Sequence, residues 1–137
     1  MLESPVKFSI ITIVYNRVKD IEFTLKSITE QTYHNIEYIV IDGNSNDGTT
    51  SIIEKYRDKI DCYFSEEDQG IYDAMNKGLR NSTGDYVLFI NGGDSLHQKD
   101  TIEKLADQFI NKQPLKPDIV FGECMLVDFN RSPIQTR

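Results

Sequence analysis

Four short apolar runs, separated by stretches of helical period, constrain this chain more than any other feature. Phe8–Tyr15 (FSIITIVY), Ile36–Ile41, Tyr86–Ile90 and Ile119–Phe121 are nearly continuous in apolar residues. A strand exposed on one face alternates, whereas a run without alternation suits a strand covered on both faces. Cys62–Phe64 is a weaker candidate between the second and third runs. In the gaps, Val18, Ile21, Leu25 and Ile28 recur at three- and four-residue steps, as do Ile52, Ile53 and Tyr56. Tyr72, Met75 and Leu79 make a third stripe, and Ile102, Leu105 and Phe109 a fourth. Each stripe predicts a helix whose apolar face packs on the sheet. Asp100-x-x-Glu103 predicts a capping-box start for the last helix, which Pro114 and Pro117 end before the final strand.

The order βαβαβαβαβ predicts an α/β fold: an open, mostly parallel sheet with helices on both faces. At 137 residues, the chain is one domain rather than two. Its net charge of −7 is carried by residues 1–98, with 9 basic and 16 acidic side chains; the remainder is balanced. An acidic surface repels phosphate backbones, which argues against nucleic-acid binding. The same acidic segment suits a divalent cation bridging to a phosphorylated small molecule. No run reaches the ~18 apolar residues of a membrane span, and MLESPVK has no apolar signal core, so a cytoplasmic protein is expected. Cys62 and Cys124 match neither zinc spacing nor a disulfide framework and read as buried thiols.

In open parallel sheets, ligands bind outside the carboxyl ends of the strands. Those ends carry Tyr15-Asn16-Arg17, then Asp42 to Thr49 (DGNSNDGT), then Ser65 to Gly70 (SEEDQG), then Asn91-Gly92-Gly93-Asp94. Any one of these is a turn by composition. Together they describe an edge with carboxylates and glycine-permitted backbone approach, suited to a nucleotide whose phosphates are held through a metal. Neither G-x-x-x-x-G-K-[ST] nor G-x-G-x-x-G is present, so no P-loop or dinucleotide fingerprint offers another way to hold phosphate.

Four segments in order resemble family 2 glycosyltransferases of the GT-A fold: Ser9–Asn16, Ile41–Thr49, Asp68–Gly78 and Gly84–Asp94. The resemblance implies that Thr12, Tyr15 and Asn16 line the nucleotide end of the crevice. It implies that Asp42 hydrogen-bonds the donor's base, usually uracil, with Ser45 and Asp47 in the same loop. Gly70, Ala74, Asn76 and Gly78 belong to the family's helix beside the nucleotide-sugar, with Asp68 just before it. Asp94 falls in the D-x-D region that ligates Mn²⁺ or Mg²⁺ on the pyrophosphate. Where the family often reads D-x-D-D, this chain reads Asn91-Gly92-Gly93-Asp94, leaving one charged ligand and a weaker oxygen on Asn91.

The implied activity is inverting transfer of a sugar from a nucleoside diphosphate, with a UDP-sugar as donor, to a hydroxyl of a saccharide or lipid-linked acceptor in polysaccharide or glycolipid biosynthesis. Such work fits the cytoplasm or the inner face of the membrane, with peripheral association. The family's general base lies beyond the D-x-D strand, and the 43 residues after Asp94 offer only Glu123 and Asp128 in the final strand region. Neither is taken as the base, so the chain is expected to be the donor-binding part, truncated on its acceptor side. A non-catalytic nucleotide-sugar-binding module is the alternative. A phospho-receiver module would need an acidic pair after the first strand and a Lys after the last, where this chain has Asn16-Arg17 and Gly122-Glu123.

Overall fold

The computed structural model describes residues 5–111, 117–120 and 122–134. Four strands, β1 (Phe8–Val14), β2 (Ile36–Asp42), β3 (Cys62–Ser65) and β4 (Tyr86–Phe89), form one sheet in the order β3-β2-β1-β4. All pairings are parallel, with Val14 opposite Asp42 and Asp42 opposite Ser65 at the C-terminal edge. The helices are α1 (Ile21–Thr29), α2 (Thr49–Glu54), α3 (Ile71–Arg80) and α4 (Thr101–Asn111), with a 3₁₀ turn at Arg57–Lys59.

The pleat of β1 divides the core. Phe8, Ile10 and Val14 join Tyr38 and Val40 on the face covered by Ile21, Leu25 and Ile28 of α1, Ile53 of α2, and Ile102, Ala106 and Phe109 of α4. Ile11, Ile13, Ile39 and Ile41 point the other way and meet Ala74 of α3. β1 is buried along its whole length, which explains why its sequence does not alternate.

Several expectations are corrected. Of the stripe Tyr72, Met75, Leu79 only Met75 packs against the sheet: Tyr72 is 78% and Leu79 42% exposed, while Ala74 and Gly78 are buried. The helix lies so close to the sheet that a Cβ on Gly78 would stand 2.5 Å from Ile11 Cγ2. Small residues make that approach possible, and hydrophobic periodicity does not register them. Nor does Asp100 cap α4 in a reciprocal box with Glu103. Its carboxylate pairs with Lys104 at 3.0 Å, while Glu103 accepts the Thr32 hydroxyl at 2.9 Å.

Ile119 and Val120 form no strand and are 69% and 45% exposed; Phe121 lies outside the described residues, as does Pro114. An apolar run becomes a strand only where a neighbour offers its backbone. Here the following segment pairs with itself instead, Val127 bridging Pro133 and Ile134 N–H donating to Leu126 O at 2.8 Å. Cys62 is half-buried and Cys124 exposed, so only the first approaches the buried thiol expected. No described helix is long and apolar enough to cross a membrane.

Candidate active site at the reversal of the sheet

From β1 the chain steps outward through β2 to β3, then returns to lay β4 on the other side of β1. Such a reversal opens a crevice where the loops after two neighbouring strands diverge, here at the C-terminal ends of β1 and β4. The loops after β1 and β2 are stapled together. Asn16 N–H donates to Ser45 Oγ at 2.8 Å, and Asn16 Oδ1 accepts Asn46 N–H at 2.9 Å. Asn16 adopts φ 49°, a left-handed conformation that asparagine tolerates better than most residues. One turn on, Arg17 N–H donates to Thr49 Oγ1 at 2.8 Å and Val18 N–H to Asp47 Oδ2 at 3.1 Å. The Thr49 hydroxyl, and then the backbone N–H groups of Thr49 and Val18, hold the Asp47 carboxyl below its ordinary pKa. Asn16, Ser45 and Asp47 therefore form the frame of the crevice.

Asp42 is fully buried beneath this frame. Its carboxylate accepts the Ser45 hydroxyl, Ser45 N–H at 3.1 Å and the Ser65 hydroxyl at 2.6 Å, tying the loop after β2 to the end of β3. Thr12 is also fully buried, its hydroxyl 3.0 Å from Tyr38 Oη. It sits inside the core rather than in the crevice, because its place in β1 turns it to the face covered by α1 and α2.

Tyr15, by contrast, is 60% exposed at the strand end. It converges with Gly43 and Asp68: a Cβ on Gly43 would lie 2.9 Å from Asp68 Oδ2 and 3.4 Å from the Tyr15 ring. Asp68 Oδ1 accepts Gly70 N–H at 3.1 Å, and Gly70 has φ 105°. Lys77 of α3 reaches back to this loop, 3.2 Å from Glu66 and 3.4 Å from Asp73, and donates to Glu67 O at 3.1 Å. Partial desolvation pulls its pKa down, but the bonds to Glu66 and Asp73 outweigh that and raise it. Asn76 is exposed on α3.

The turn after β4 stands across the crevice. Gly92 N–H donates to Ile13 O at 2.8 Å and Asp94 N–H to Asn91 O at 2.9 Å, so the turn is laid against the end of β1. A Cβ on Gly92 would come within 2.8 Å of Val14 Cγ2. Gly93 has φ 103° and lies under the Arg17 guanidinium, which is itself paired with Asp20. The Asp94 side chain is exposed, and no hydrogen bond or ion pair to its carboxylate is made among the described residues. Asn91 Oδ1 is enclosed without a hydrogen-bond partner.

An unclaimed carboxylate and an orphaned amide oxygen on one short turn, both hard oxygen donors, are of the chemistry that suits Mg²⁺ or Mn²⁺. No group of three or more His, Cys, Asp or Glu that could hold a metal occurs among the described residues. The remaining coordination positions of such an ion would fall to phosphate and water. Towards β4 and the tail the turn opens into a broad cleft whose walls include Arg17, Val87, Leu96, Met125 and Phe129.

The sequence reading missed one feature of this site. Thr24, Ser27 and Gln31 run along or just beyond α1 and hold the segment that follows β4. The Thr24 hydroxyl accepts Gly93 N–H at 2.9 Å and donates to Asp94 O at 2.6 Å; Ser27 Oγ accepts Leu96 N–H at 3.1 Å. Gln31 donates to Gln98 O at 2.7 Å and accepts Ile102 N–H at 3.0 Å. Polar residues at spacings of three and four on the face of a helix otherwise given to Leu25 and Ile28 were the available signal.

A parallel sheet that reverses at its first strand, with glycine-set oxygen ligands at the reversal, is the arrangement of the GT-A glycosyltransferases. Solved members superpose on the chain. S. aureus TarS in complex with UDP is 30% identical, with TM-score 0.66, over 76% of this chain and 33% of that one. The mannosyltransferase PcManGT from Pyrobaculum calidifontis, in complex with GDP-Man and Mn²⁺, gives TM-score 0.68 at 25% identity, over 81% of this chain and 34% of that one.

The chain belongs to glycosyl transferase family 2, whose model matches residues 9–134. A PGL/p-HBAD biosynthesis glycosyltransferase of Mycobacterium bovis is 32% identical over 126 residues, 90% of this chain and 48% of the relative. The chain spans about half the length of the curated relatives it matches.

Proposed function

We propose that residues 1–137 form the donor-binding unit of an inverting glycosyltransferase that takes a UDP-sugar. Its acceptor would be a hydroxyl of a saccharide or lipid-linked molecule in cell-surface polysaccharide or glycolipid synthesis. The observation that carries this reading is the Asp94 turn: a carboxylate unpaired among the described residues, on a glycine-set loop laid against the end of β1 at the reversal of the sheet. The UDP in TarS and the GDP-Man and Mn²⁺ in PcManGT support it, as does the biosynthetic name of the mycobacterial relative. A lipid-linked acceptor would bring the enzyme from the cytoplasm to the inner face of the membrane.

In this reading Tyr15, Gly43 and Asp68 border the nucleoside end, and the buried Asp42 shapes it from beneath by anchoring Ser45 and Ser65. Gly70 and Asn76 belong to the donor wall. Gly92 and Gly93 admit the diphosphate close to the backbone. Asp94, with Asn91, would hold a divalent ion, which when bound neutralises charge on the departing nucleoside diphosphate. Inversion is one in-line displacement: the acceptor oxygen bonds to the anomeric carbon as the bond to the diphosphate breaks, and the hydroxyl proton passes to a base. Asp128 does not suit that part, since its carboxylate accepts Asn130 and Ser132 N–H at 2.8 and 2.9 Å to close a turn. Glu123 is exposed and is not assigned.

The test is binding. At ten times Kd, UDP stabilises the native state by about 1.4 kcal/mol, a rise of about 5 °C in Tm for a domain of this size. The absence of any shift with millimolar UDP and Mn²⁺, in a folded sample, would overturn the proposal.

A further inference from the structure

We infer that Thr24 is a positioning residue for the metal-binding turn, setting the direction of the Asp94 carboxylate from the interior of α1; this rests on Asp94 being the metal ligand. Thr24 is fully buried, so its hydroxyl has no water with which to exchange partners. That hydroxyl both accepts and donates, taking Gly93 N–H at 2.9 Å and giving its proton to Asp94 O at 2.6 Å. The two bonds bracket the Gly93 and Asp94 backbone. On the opposite side, β1 holds Gly92 through Ile13 O, and Asp94 N–H is taken by Asn91 O.

The turn is therefore fixed by α1 on one side and β1 on the other, while the Asp94 side chain remains uncommitted. Gly93 at φ 103° has wide backbone freedom, which makes an external tether necessary if the next residue is to aim at a fixed point. A metal with one protein carboxylate has no second charged ligand to correct an error in the first. Outer partners that orient a metal ligand commonly matter by about 10–100-fold in affinity. The hydroxyl acts through the backbone rather than on the ion, so its loss should affect only what depends on the ion.

The experiment measures UDP affinity with and without Mn²⁺ for the unsubstituted chain, Thr24→Val, Thr24→Ala, Thr24→Ser, Ser27→Ala and Asp94→Ala, with Tm recorded for each. The Mn²⁺-dependent gain in UDP affinity should fall about 10-fold or more in Thr24→Val while metal-free affinity stays within about twofold. Thr24→Ser should restore the gain, because it returns the hydroxyl. Ser27→Ala, which frees Leu96 N–H and removes a bond to the Thr24 carbonyl but leaves the Thr24 hydroxyl in place, should keep it. Thr24→Ala, which cannot overpack, gives the same reading if the valine variant does not fold. A Mn²⁺ gain lost in Asp94→Ala but kept in the folded Thr24→Val or Thr24→Ala variant would overturn the role of Thr24 alone. Equal affinities with and without Mn²⁺ in the unsubstituted chain would overturn the metal reading, and this inference with it.

Discussion

Gly78→Ala sets two physical effects against each other, and the sign of the result decides which governs α3. In an isolated helix the change is favourable by about 1 kcal/mol, since alanine loses less backbone freedom than glycine. In this fold the new methyl would lie 2.5 Å from Ile11 Cγ2 and 3.1 Å from Ile11 Cδ1, against an ordinary contact of 3.4–4 Å. Ile11 cannot swing away: it is fully buried in the central strand, between β2 and β4. The helix must retreat by about 1 Å, which in a close-packed core costs about 1–3 kcal/mol. The expected balance is a loss of up to about 2 kcal/mol, or up to about 7 °C in Tm for this length.

Thermal unfolding by circular dichroism reads that directly, and a double-mutant cycle isolates the contact. Ile11→Ala alone should cost about 2–5 kcal/mol. On that background, Gly78→Ala should become neutral or stabilising, because its methyl enters vacated space. A raised Tm for Gly78→Ala in the unsubstituted chain would refute the close approach of α3. So would a penalty unchanged by Ile11→Ala. Because α3 carries Lys77, which binds the loop bearing Glu66 and Glu67, UDP affinity should fall along with stability.

Asp42→Ala removes the acceptor shared by Ser45 and Ser65, and should weaken uridine binding with or without Mn²⁺ as well as lowering Tm; unchanged uridine affinity would remove Asp42 from the base site. Asp94→Ala should abolish the Mn²⁺-dependent part of UDP binding and spare the metal-free part, as titration calorimetry with and without the ion would show. At the opposite edge of the sheet, partial burial raises the Glu37 pKa, but bonds from the Ser9 hydroxyl and from Thr83 N–H and hydroxyl outweigh it, leaving the folded value lowered. The stability this provides is complete above the unfolded pKa of about 4.3 and disappears as pH falls through the folded value. Urea midpoints should therefore separate the unsubstituted chain from Glu37→Gln most at pH 7, with the gap closing towards pH 3; a constant gap would refute the linkage.

The alternation of strands and helices was legible because burial on two faces leaves continuous apolar runs, and FSIITIVY could hardly be read otherwise. The polar loops after each strand were legible for a related reason: turn chemistry is local, and Asp42, Gly43, Asn91 and Gly93 announce where chains bend. Which helix face meets the sheet was only partly legible in α3, since beside Met75 its contact is made by Ala74 and Gly78, whose part is to leave space. The run at Ile119 failed as a strand because pairing depends on a neighbouring backbone, and here the tail bonded to itself.

The buried seats of Asp42 and Thr12, and the grip of Thr24 on the Asp94 turn, were equally out of reach. They join residues 20 or more positions apart through single hydrogen bonds that leave no period in the sequence. Local chemistry thus determined what the elements are and what their ends carry. Only the tertiary structure decided that β4 returns beside β1 and lays the Asp94 turn against the end of β1. The physical reason is that parallel strands pair through backbone groups common to every residue, so strand order follows from how the whole chain packs.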